Sequence, residues 1–520
     1  MARAQSSSGA TDRRSVLDEL WRAERDRPDA PLLRWRGHDG RVVEHRVADV
    51  AEQVRRGASW LRSLGVAAGD HVATFATNHE RLPSLWCAIH LVGAVEVPIN
   101  AHLKGFMLQH VLDDARPAVV VADAERRAVL AAASTGATVV PLEDVAGWDR
   151  AEPAERADPP PTALATIMYT SGTTGPSKGV MLPHGYAANL AARWGAVQAL
   201  APGDVSHFSL PMFHVDSHVA FACALVTGST LGVVPRFSAT RFWDECRDLD
   251  ATWFVGVGAM MAAIARRPVP DDVDRLRLRR GVGAPIPDEA YERLEDALGI
   301  SLFQLYGQTE ADGVCFETVD RRRRGSAGWP STGFEVAVVD DLGAPLPPGA
   351  TGEIVYRPGA PNMMAIGYWN RPEATAAAVR DLWFHSGDLG SFDADGFLWF
   401  RGRKRDSLRR RGENISAFEL EQTVRGAPGV AECAAVGVPD PLGGEDEVKV
   451  FVVLRPGERL DPAAFFAYCE DNLARFAVPR FVEVVDESAL VRGPGTGAIQ
   501  KHLLPAAPGP GAIDRQEVAR

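Results

Sequence analysis

Helix-like and strand-like apolar segments alternate through the first two-thirds of this 520-residue chain. Residues 71–75 and 118–121 have the short apolar pattern of buried strands. Residues 47–64 and 82–92 have the apolar spacing of helices that flank the first of these strands. Such alternation is typical of α/β layers. We therefore predict an α/β fold in which a large N-terminal domain is built from layered sheets and helices.

A second, smaller unit is predicted near the C-terminus, after the basic run at residues 401–411. Residues 418–425 and 461–473 have helical patterns and residues 432–438 and 448–454 have strand patterns, which predicts a small α+β domain over residues 406–504. Residues 1–14 are rich in Ser, Ala and Arg, and residues 505–520 are rich in Pro, Gly and Ala. We expect the first segment to be disordered and the second to be a flexible tail.

Composition excludes several classes of function. The net charge is −12, with 68 acidic against 56 basic residues, so a nucleic-acid partner is not expected. No uninterrupted apolar run has the length of a membrane span, and the N-terminus lacks the apolar core of a secretory signal. The six cysteines form no CxxC pair and no zinc-like cluster with histidine, which predicts reduced, mostly buried thiols and a cytoplasmic protein.

The loop from Tyr169 to Gly179 follows an apolar run at residues 163–168 that suits a buried strand. Its eleven residues include five Ser or Thr hydroxyls, three glycines and Lys178. Glycines allow backbone N–H groups to face an anion, and hydroxyl and ammonium groups add further donors. The loop is not a Walker A motif, because Lys178 lies between Ser177 and Gly179. By itself the pattern fits a phosphate-binding loop or a flexible polar loop.

Four motifs in order along the chain resemble those of the adenylate-forming superfamily, which includes acyl- and aryl-CoA ligases, luciferases and peptide-synthetase adenylation domains. They are YTSGTTGPSKG at residues 169–179, YGQTE at 306–310, WFHSGD at 383–388, and GR…RGENI at 402–415. The resemblance extends over roughly residues 15–504. Within the superfamily the chain is similar to acid–CoA ligases, particularly the carnitine/crotonobetaine type.

The resemblance implies an adenylation domain over residues 15–402, a hinge at 403–405 centred on Arg405, and a mobile domain over 406–504. It implies that ATP and Mg²⁺ are used, with CoA as a second substrate of a small-molecule acid. A homodimer is an option that the sequence leaves open. Residues implied to hold the phosphates are Thr170, Ser171, Gly172, Thr173, Thr174 and Lys178. Thr309 and Glu310 are implied to hold the phosphate region and Mg²⁺, for which oxygen ligands are suitable.

The adenine slot is implied to lie between Tyr306, followed by Gly307, and the tripeptide Gly283-Ala284-Pro285. Asp388, supported by Arg403, is implied to bind the ribose hydroxyls. The residues implied to line the acid pocket are His214, Asp216, Gly256, Val257, Gly258, Asp312 and Gly313. His214 also fits a packed core histidine. Asp216 and Asp312 suit a cationic or amino-bearing substrate, or else face solvent or cap local turns.

Two positions depart from the family pattern. Ala498 stands where the family normally has a lysine that reaches the forming adenylate, through natural drift or an engineered change. Lys501 lies three residues further on, and its position does not match that of the family lysine. Arg411 replaces the first glycine of the usual pair before Glu-Asn, where it would crowd the CoA path. The resemblance implies that Arg409 contacts the CoA phosphates. The alternative is that residues 409–411 form a solvated basic face.

Three functions are consistent with these observations. The first is an ATP-dependent ligase that forms an acyl adenylate with release of pyrophosphate and then a CoA thioester. The second is a diazotase that adenylates nitrite and transfers it to an aryl amine without CoA, which the two departures would suit. The third is a nucleotide-binding pseudoenzyme, which Ala498 favours and which Thr309, Glu310 and Asp388 oppose.

Overall fold

A capping box formed by Ser15 and Asp18 determines where the first helix begins. The Ser15 side chain accepts from the Asp18 backbone N–H while the Asp18 carboxylate accepts from the Ser15 N–H, a reciprocal capping box that fixes the start of the helix at Val16. The computed structural model describes residues 14–143, 146–170, 177–403, 408–410, 413–415, 417–439, 446–491, 499 and 501–518.

Helices and strands alternate as predicted. The helices are α1 (Val16–Asp26), α2 (Val47–Ser63), α3 (Leu82–Val92), α4 (Gly105–Ala115), α5 (Ala124–Leu130), α6 (Ala146–Arg150), α7 (Gly185–Val197), α8 (Val215–Thr227), α9 (Phe242–Leu249), α10 (Gly258–Ala265), α11 (Asp288–Ala290), α12 (Pro372–Ala378), α13 (Ala417–Arg425), α14 (Pro462–Asn472) and α15 (Arg515–Val518).

The strands complete the layers. They are β1 (Pro31–Arg36), β2 (Val42–Arg46), β3 (His71–Phe75), β4 (Val95–Pro98), β5 (Val119–Ala122), β6 (Thr138–Pro141), β7 (Leu164–Thr170), β8 (Lys178–Pro183), β9 (Ser206–Phe208), β10 (Leu231–Val233), β11 (Trp253–Val257), β12 (Arg280–Ala284), β13 (Ser301–Gln308), β14 (Ala311–Phe316), β15 (Trp329–Pro330), β16 (Phe334–Val339), β17 (Gly352–Pro358), β18 (Gly367–Tyr368), β19 (Val379–Arg380), β20 (Trp383–Phe392), β21 (Leu398–Arg403), β22 (Leu408–Arg410), β23 (Glu413–Ile415), β24 (Val430–Pro439), β25 (Asp446–Leu454), β26 (Phe481–Val484) and β27 (Ala512–Asp514).

Three sheets form the large domain. One has the order β18-β8-β7-β4-β3-β5-β6, parallel from β7 to β6. A second has the order β15-β14-β13-β12-β11-β9-β10-β1-β2, parallel from β13 to β1. The third is antiparallel, with the order β16-β17-β20-β19 and β21 paired to β20. The layered α/β prediction is thereby confirmed.

The main core contains the helices α2, α3, α7 and α8 and side chains of the first two sheets. Every residue of α3 is buried, as expected of a helix that is apolar on all sides. This core also holds a polar cluster centred on the fully buried Glu96 of β4. Its carboxylate lies 2.9 Å from His218 Nε2 and accepts from the Thr166 hydroxyl at 3.2 Å. The cluster ties the first turns of α8 to the sheet beneath them.

The small domain is a separate sheet, β24-β25-β26-β27, packed with α13 and α14. The predicted helices and strands of this region are present with boundaries shifted by one or two residues. Residues 505–518 differ from the flexible tail predicted for 505–520, because β27 pairs antiparallel with β26 and Ile513 packs on the small-domain core. The Lys449 ammonium, which is fully buried, donates to the Pro505 and Ala507 carbonyls.

Two further expectations can be compared with the structure. All six cysteines are buried free thiols, which confirms that no disulfide framework exists. In the part of the chain that the structure describes, no helix has both the length and the apolar character needed to cross a membrane. Residues 1–13 lie outside the described residues.

Candidate functional site

The carboxyl ends of the parallel strands β11, β12 and β13 meet at one edge of the second sheet, which is where ligands bind in open α/β sheets. Gly256 pairs with Gly283 there, and Val257 pairs with Ala284. A Cβ on Gly283 would overlap the Gly256 carbonyl oxygen and lie 2.7 Å from Met261 Cε. A Cβ on Gly258 would lie 2.8 Å from the Pro285 carbonyl oxygen. The glycines therefore permit a backbone approach that any side chain would prevent.

Tyr306, Gln308 and Asp388 form a hydrogen-bonded group beside this edge, in which Tyr306 and Asp388 are buried. The Tyr306 hydroxyl donates to Asp388 Oδ2 at 2.8 Å, and Gln308 Nε2 donates to the same oxygen at 2.9 Å. The Tyr356 hydroxyl donates to Gln308 Oε1 at 3.1 Å, which fixes the amide orientation. Asp388 faces Arg403 in the β20–β21 ladder. The structure thus brings Tyr306 and Asp388, which lie 82 positions apart, into direct contact.

Lys178 and Glu310 both contact Tyr368. The Tyr368 hydroxyl donates to Glu310 Oε1 at 2.6 Å, and Lys178 Nζ lies 5.1 Å from the Tyr368 ring centroid. Burial raises the pKa of Glu310, while the hydrogen bond from Tyr368 and the charge of Lys178 act to lower it. Burial, and then the Glu310 carboxylate, raise the pKa of Tyr368, so this hydroxyl stays a donor at neutral pH. A cation and an anion are therefore held at the exit of the β7–β8 hairpin.

The turn between β7 and β8 is the predicted phosphate loop. Thr170 at the end of β7 pairs with Lys178 at the start of β8. Ser171, Gly172, Thr173 and Thr174 lie outside the described residues. The loop is anchored at its far end, where a Cβ on Gly179 would overlap the Ile167 side chain and the Ser177 carbonyl lies 2.9 Å from His110 Nε2.

His214 immediately precedes α8 and its side chain is 37% exposed, so it is not a packed core histidine. The segment that leads to it is held by Asn78, whose amide donates to the Leu210 carbonyl at 2.9 Å and accepts from the Met212 N–H at 2.8 Å. Asn78 is 7% exposed and acts through the backbone of this segment. The arrangement leaves the His214 imidazole directed away from the core.

Asp216 lies in the first turn of α8, and Asp312 and Gly313 lie in β14. Asp312 is 4% exposed, and burial followed by the charge of Asp216 raises its pKa well above the usual range. The Asp312 backbone N–H donates to the Tyr186 hydroxyl at 3.0 Å. Gly313 has φ +62°, a left-handed conformation that favours glycine. The charge of Asp216 therefore disfavours ionisation of the Asp312 carboxyl.

The small domain meets this site at two points. Glu413 of β23 lies 3.1 Å from His214 Nε2 and 3.4 Å from Asn100 Nδ2. Glu419 of α13 accepts from the Ser177 backbone N–H at 2.7 Å, and this glutamate is 3% exposed. Met107 of α4 belongs to the same apolar cluster as the small-domain core. His214, of the expected acid pocket, and Ser177, of the predicted phosphate loop, therefore each contact a small-domain carboxylate.

The chain was compared with known proteins. Residues 20–369 match the family model described as AMP-binding enzyme, and residues 419–492 match the AMP-binding enzyme C-terminal domain. This chain belongs to the AMP-binding enzyme family. It is an adenylate-forming enzyme of the acid–CoA ligase kind, which confirms the resemblance stated from its motifs.

Two curated relatives of this AMP-binding enzyme are CoA ligases. A feruloyl-CoA synthase from Amycolatopsis sp is 36% identical over 501 residues, covering 92% of this chain and 96% of that protein. A crotonobetaine/carnitine–CoA ligase from Salmonella paratyphi B is 32% identical over 491 residues, covering 88% and 92%. The chain is therefore similar both to the carnitine-type ligases and to the feruloyl-CoA synthases.

Solved structures agree in fold. A double mutant of o-succinylbenzoate CoA synthetase from Bacillus subtilis, bound to the product analogue OSB-NCoA, aligns with TM-score 0.81 at 24% identity, covering 94% of this chain and 98% of that one. The same synthetase in complex with AMP aligns with TM-score 0.66 at the same identity and coverage. The overall arrangement of this AMP-binding enzyme is closer to the first of these structures.

Several expectations concern the predicted hinge and the C-terminal domain. Arg405, Arg411 and Ala498 lie outside the described residues, as do the side chains of Arg403 and Arg409. One alternative for residues 409–411 was a solvated basic face. Arg410 does not belong to such a face, because it is 4% exposed, donates to the Val478 carbonyl and forms an ion pair with Glu447. Lys501 forms an ion pair with Glu421 at 2.7 Å within the small domain.

The sequence did not predict the residues that contact site residues from distant positions in the chain. They are Asn78, Gln308, Tyr356, Tyr368, Glu413 and Glu419, of which only Gln308 and Glu413 lie inside a recognised motif. A weak signal existed for Tyr368, which directly precedes a tryptophan, and for Asn78, which follows a buried strand.

Proposed function

We propose that this enzyme activates a small carboxylic acid with ATP and Mg²⁺ and then transfers the acyl group to CoA. In the first step an acid oxygen bonds to the α-phosphorus of ATP, the bond from that phosphorus to the β-phosphate bridge breaks, and pyrophosphate leaves. In the second step the CoA sulfur bonds to the acyl carbon with loss of the thiol proton, and AMP leaves.

The observation that carries the proposal is the shared location of the two halves of a nucleotide site. Tyr306 and Asp388 are hydrogen-bonded to each other next to Gly283, while Lys178 and Glu310 lie at the exit of the phosphate loop. The first group would bind adenosine and the second the phosphates. The ammonium of Lys178 would stabilise negative charge that develops on the leaving pyrophosphate.

Glu310 is the residue we assign to Mg²⁺, together with Thr309. Mg²⁺ usually binds one or two carboxylates plus substrate phosphates rather than a complete protein cage. Consistent with this, the described residues contain no group of three or more His, Cys, Asp or Glu side chains able to hold a metal by themselves. When bound, the ion would neutralise phosphate charge. Tyr368 would orient the Glu310 carboxylate, because its hydroxyl donates to one of the two oxygens.

His214 and Glu413 support the second step. The imidazole would line the acid pocket, and Glu413 of the small domain contacts it directly. This contact brings the small domain against the position where the activated carboxylate would lie. The domain boundaries at residues 402 and 406, with the hinge at Arg405, remain part of this proposal. CoA as acceptor is favoured by the two curated CoA ligases that share about a third of the sequence.

The first experiment is acid-dependent exchange between ATP and labelled pyrophosphate in the absence of CoA. We expect exchange with at least one acid of an aryl, alkyl and betaine panel that includes ferulate and carnitine. Glu310→Gln should abolish exchange, whereas Glu292→Gln, an exposed glutamate in the π-helical turn Tyr291–Asp296, should leave it unchanged. Exchange that is absent with every acid would refute acid activation.

A second experiment identifies the acceptor. AMP release and product mass are measured with the best acid plus CoA, and separately with nitrite plus an aryl amine. CoA-dependent thioester formation is the expected result. Turnover that requires nitrite and amine, and that CoA does not affect, would overturn the second step while leaving nucleotide activation intact.

A further inference from the structure

Asp114 occupies an unfavourable position on its own helix. It is the last residue but one of α4, all of which lies in the described ranges, and the last turn of this helix contains no basic residue. The carboxylate is therefore close to the negative end of the helix dipole, where an anion is disfavoured. Its side chain is 10% exposed, so water screens the charge only weakly. A carboxylate at such a position needs stabilising partners from other parts of the fold.

The first partner of Asp114 is the residue that begins the phosphate loop. The Tyr169 hydroxyl donates to Asp114 Oδ2 at 2.7 Å, and Arg371 forms an ion pair with the other carboxylate oxygen at 3.4 Å. Burial, followed by the charge of Asp114, raises the pKa of Tyr169, so this hydroxyl stays a donor at neutral pH. A hydrogen bond to a carboxylate is stronger than one between neutral groups. It ties the entry of the loop to α4.

The far end of the loop meets the same face of α4. His110 lies four residues before Asp114, so the two side chains are neighbours on the helix surface. His110 Nε2 lies 2.9 Å from the Ser177 carbonyl oxygen, and it donates, because a carbonyl oxygen can only accept. The two ends of the loop are therefore held by side chains one helical turn apart.

The backbone carbonyl of Asp114 holds a third segment. A carbonyl in the last turn of a helix has no partner within that helix. The carbonyl of Asp114 accepts from Trp369 Nε1 at 3.3 Å and from Asn370 Nδ2 at 3.4 Å. The Trp369 backbone N–H in turn donates to the Gly179 carbonyl at 2.7 Å. Tyr368, whose hydroxyl donates to the proposed Mg²⁺ ligand, directly precedes this tryptophan.

We propose that Asp114 is a positioning residue of the phosphate site, which acts through Tyr169 and Trp369 to hold both sides of the loop in the arrangement that binds the β- and γ-phosphates. The inference rests on the proposed function and adds the residue that positions its phosphate site. Tyr306 and Asp388, which are assigned to adenosine, lie in β13 and β20 of the other two sheets. A change at Asp114 should therefore affect phosphate binding and spare adenosine binding.

The test compares the binding of ATP with that of AMP, each with Mg²⁺, in equilibrium titrations of the full-length enzyme without acid or CoA. Only ATP has the β- and γ-phosphates. Asp114→Ala and Tyr169→Phe should each weaken ATP binding by about tenfold or more, because ATP must then order a loop that a charged hydrogen bond held in place. AMP binding should stay within about twofold. The control Asp113→Ala removes an exposed carboxylate from the same helical turn and should change neither.

Asp114→Asn separates positioning from folding. Its amide oxygen can still accept from the Tyr169 hydroxyl, so ATP binding should return to within about threefold of the native value even though the ion pair with Arg371 is lost. A purely structural role would weaken ATP and AMP binding equally. Tyr169→Phe keeps the carboxylate and its ion pair, and it tests the hydrogen bond even if Asp114→Ala does not fold.

The outcomes distinguish this inference from the proposed function. Equal losses of ATP and AMP binding, unchanged ATP binding in Tyr169→Phe, or a loss in Asp114→Asn as large as that in Asp114→Ala would overturn the positioning role alone. The expected binding pattern without pyrophosphate exchange on any acid would overturn the proposed function and support the positioning role. A native enzyme that binds AMP but not ATP would overturn both.

Discussion

Glu419→Ala is expected to weaken the docking of the small domain on the phosphate loop. The glutamate accepts from the Ser177 N–H at 2.7 Å and is 3% exposed, so little water competes for the bond. Burial raises the pKa of Glu419, whereas the hydrogen bonds from Ser177 act to lower it. Removing the acceptor leaves the Ser177 N–H unsatisfied in the docked arrangement.

The magnitude follows from the geometry of this bond. Leaving one partner of a buried hydrogen bond unpaired costs about 1–3 kcal/mol. That energy corresponds to a shift of roughly 5- to 150-fold in the equilibrium between docked and undocked arrangements. A triphosphate bound next to Ser177 would also repel the Glu419 carboxylate. ATP and docking should therefore oppose each other in the native enzyme.

Measuring the two half-reactions separately tests this reasoning. Acyl adenylate formation is followed by pyrophosphate release in a single turnover without CoA, and thioester formation is followed by mixing preformed acyl adenylate with CoA. Glu419→Ala should keep or increase the first rate and lower the second by about fivefold or more. The control is Glu458→Ala, an exposed glutamate of the small domain.

Two results would refute the argument. Equal losses in both half-reactions would mean that Glu419 supports folding rather than docking. An unchanged second rate, with the control also unchanged, would mean that the contact with Ser177 contributes nothing to the arrangement that reacts with CoA.

Three other predictions concern packing, pH and thiol access. Gly283→Ala should weaken ATP binding by about tenfold or more, because its methyl overlaps the Gly256 carbonyl, whereas Gly136→Ala, with open space around its Cβ, should have no effect in the same equilibrium titration. Burial lowers the pKa of His184 to about 4 from 6.5, so its contribution to stability is complete above pH 6.5 and is lost as the pH falls toward 4, by about 3 kcal/mol in all. Urea unfolding at pH 7 and pH 5 should therefore differ less in His184→Gln than in the native protein, and an equal difference in both would contradict the assignment. The native enzyme should react with a thiol reagent only on unfolding, because every cysteine is buried, and a rapid reaction of even one thiol would contradict this.

Local patterns made much of the fold predictable. The capping box at Ser15 and Asp18 involves residues three positions apart, so the sequence displays both partners together. Buried strands such as β3 and β5 are short apolar runs that differ from the helical spacing around them. Boundaries in the small domain were predicted to within one or two residues for the same reason. Local periodicity is set by burial on one or both faces, which the sequence records directly.

Contacts between distant residues were not predictable from single motifs. Glu413 and His214 are 199 positions apart, and Glu310 and Tyr368 are 58 apart, so no spacing in the sequence relates them. The motif resemblance assigned roles to His214 and Glu310 but not the partners that orient them. The sequence left the role of Lys501 open, and the structure pairs its ammonium with Glu421 within the small domain.

The strand β27 limits how far the C-terminus can be shortened. It covers the open edge of β26, and the segment before it satisfies the buried ammonium of Lys449 through two carbonyls. A chain shortened to residue 504 would expose a row of unpaired backbone groups, which can pair with the same edge of another molecule. Lys449 would keep its contact with the Glu483 carboxylate at 2.8 Å. Shortened forms should therefore self-associate, and affinity tags belong after Arg520 rather than in place of the final residues.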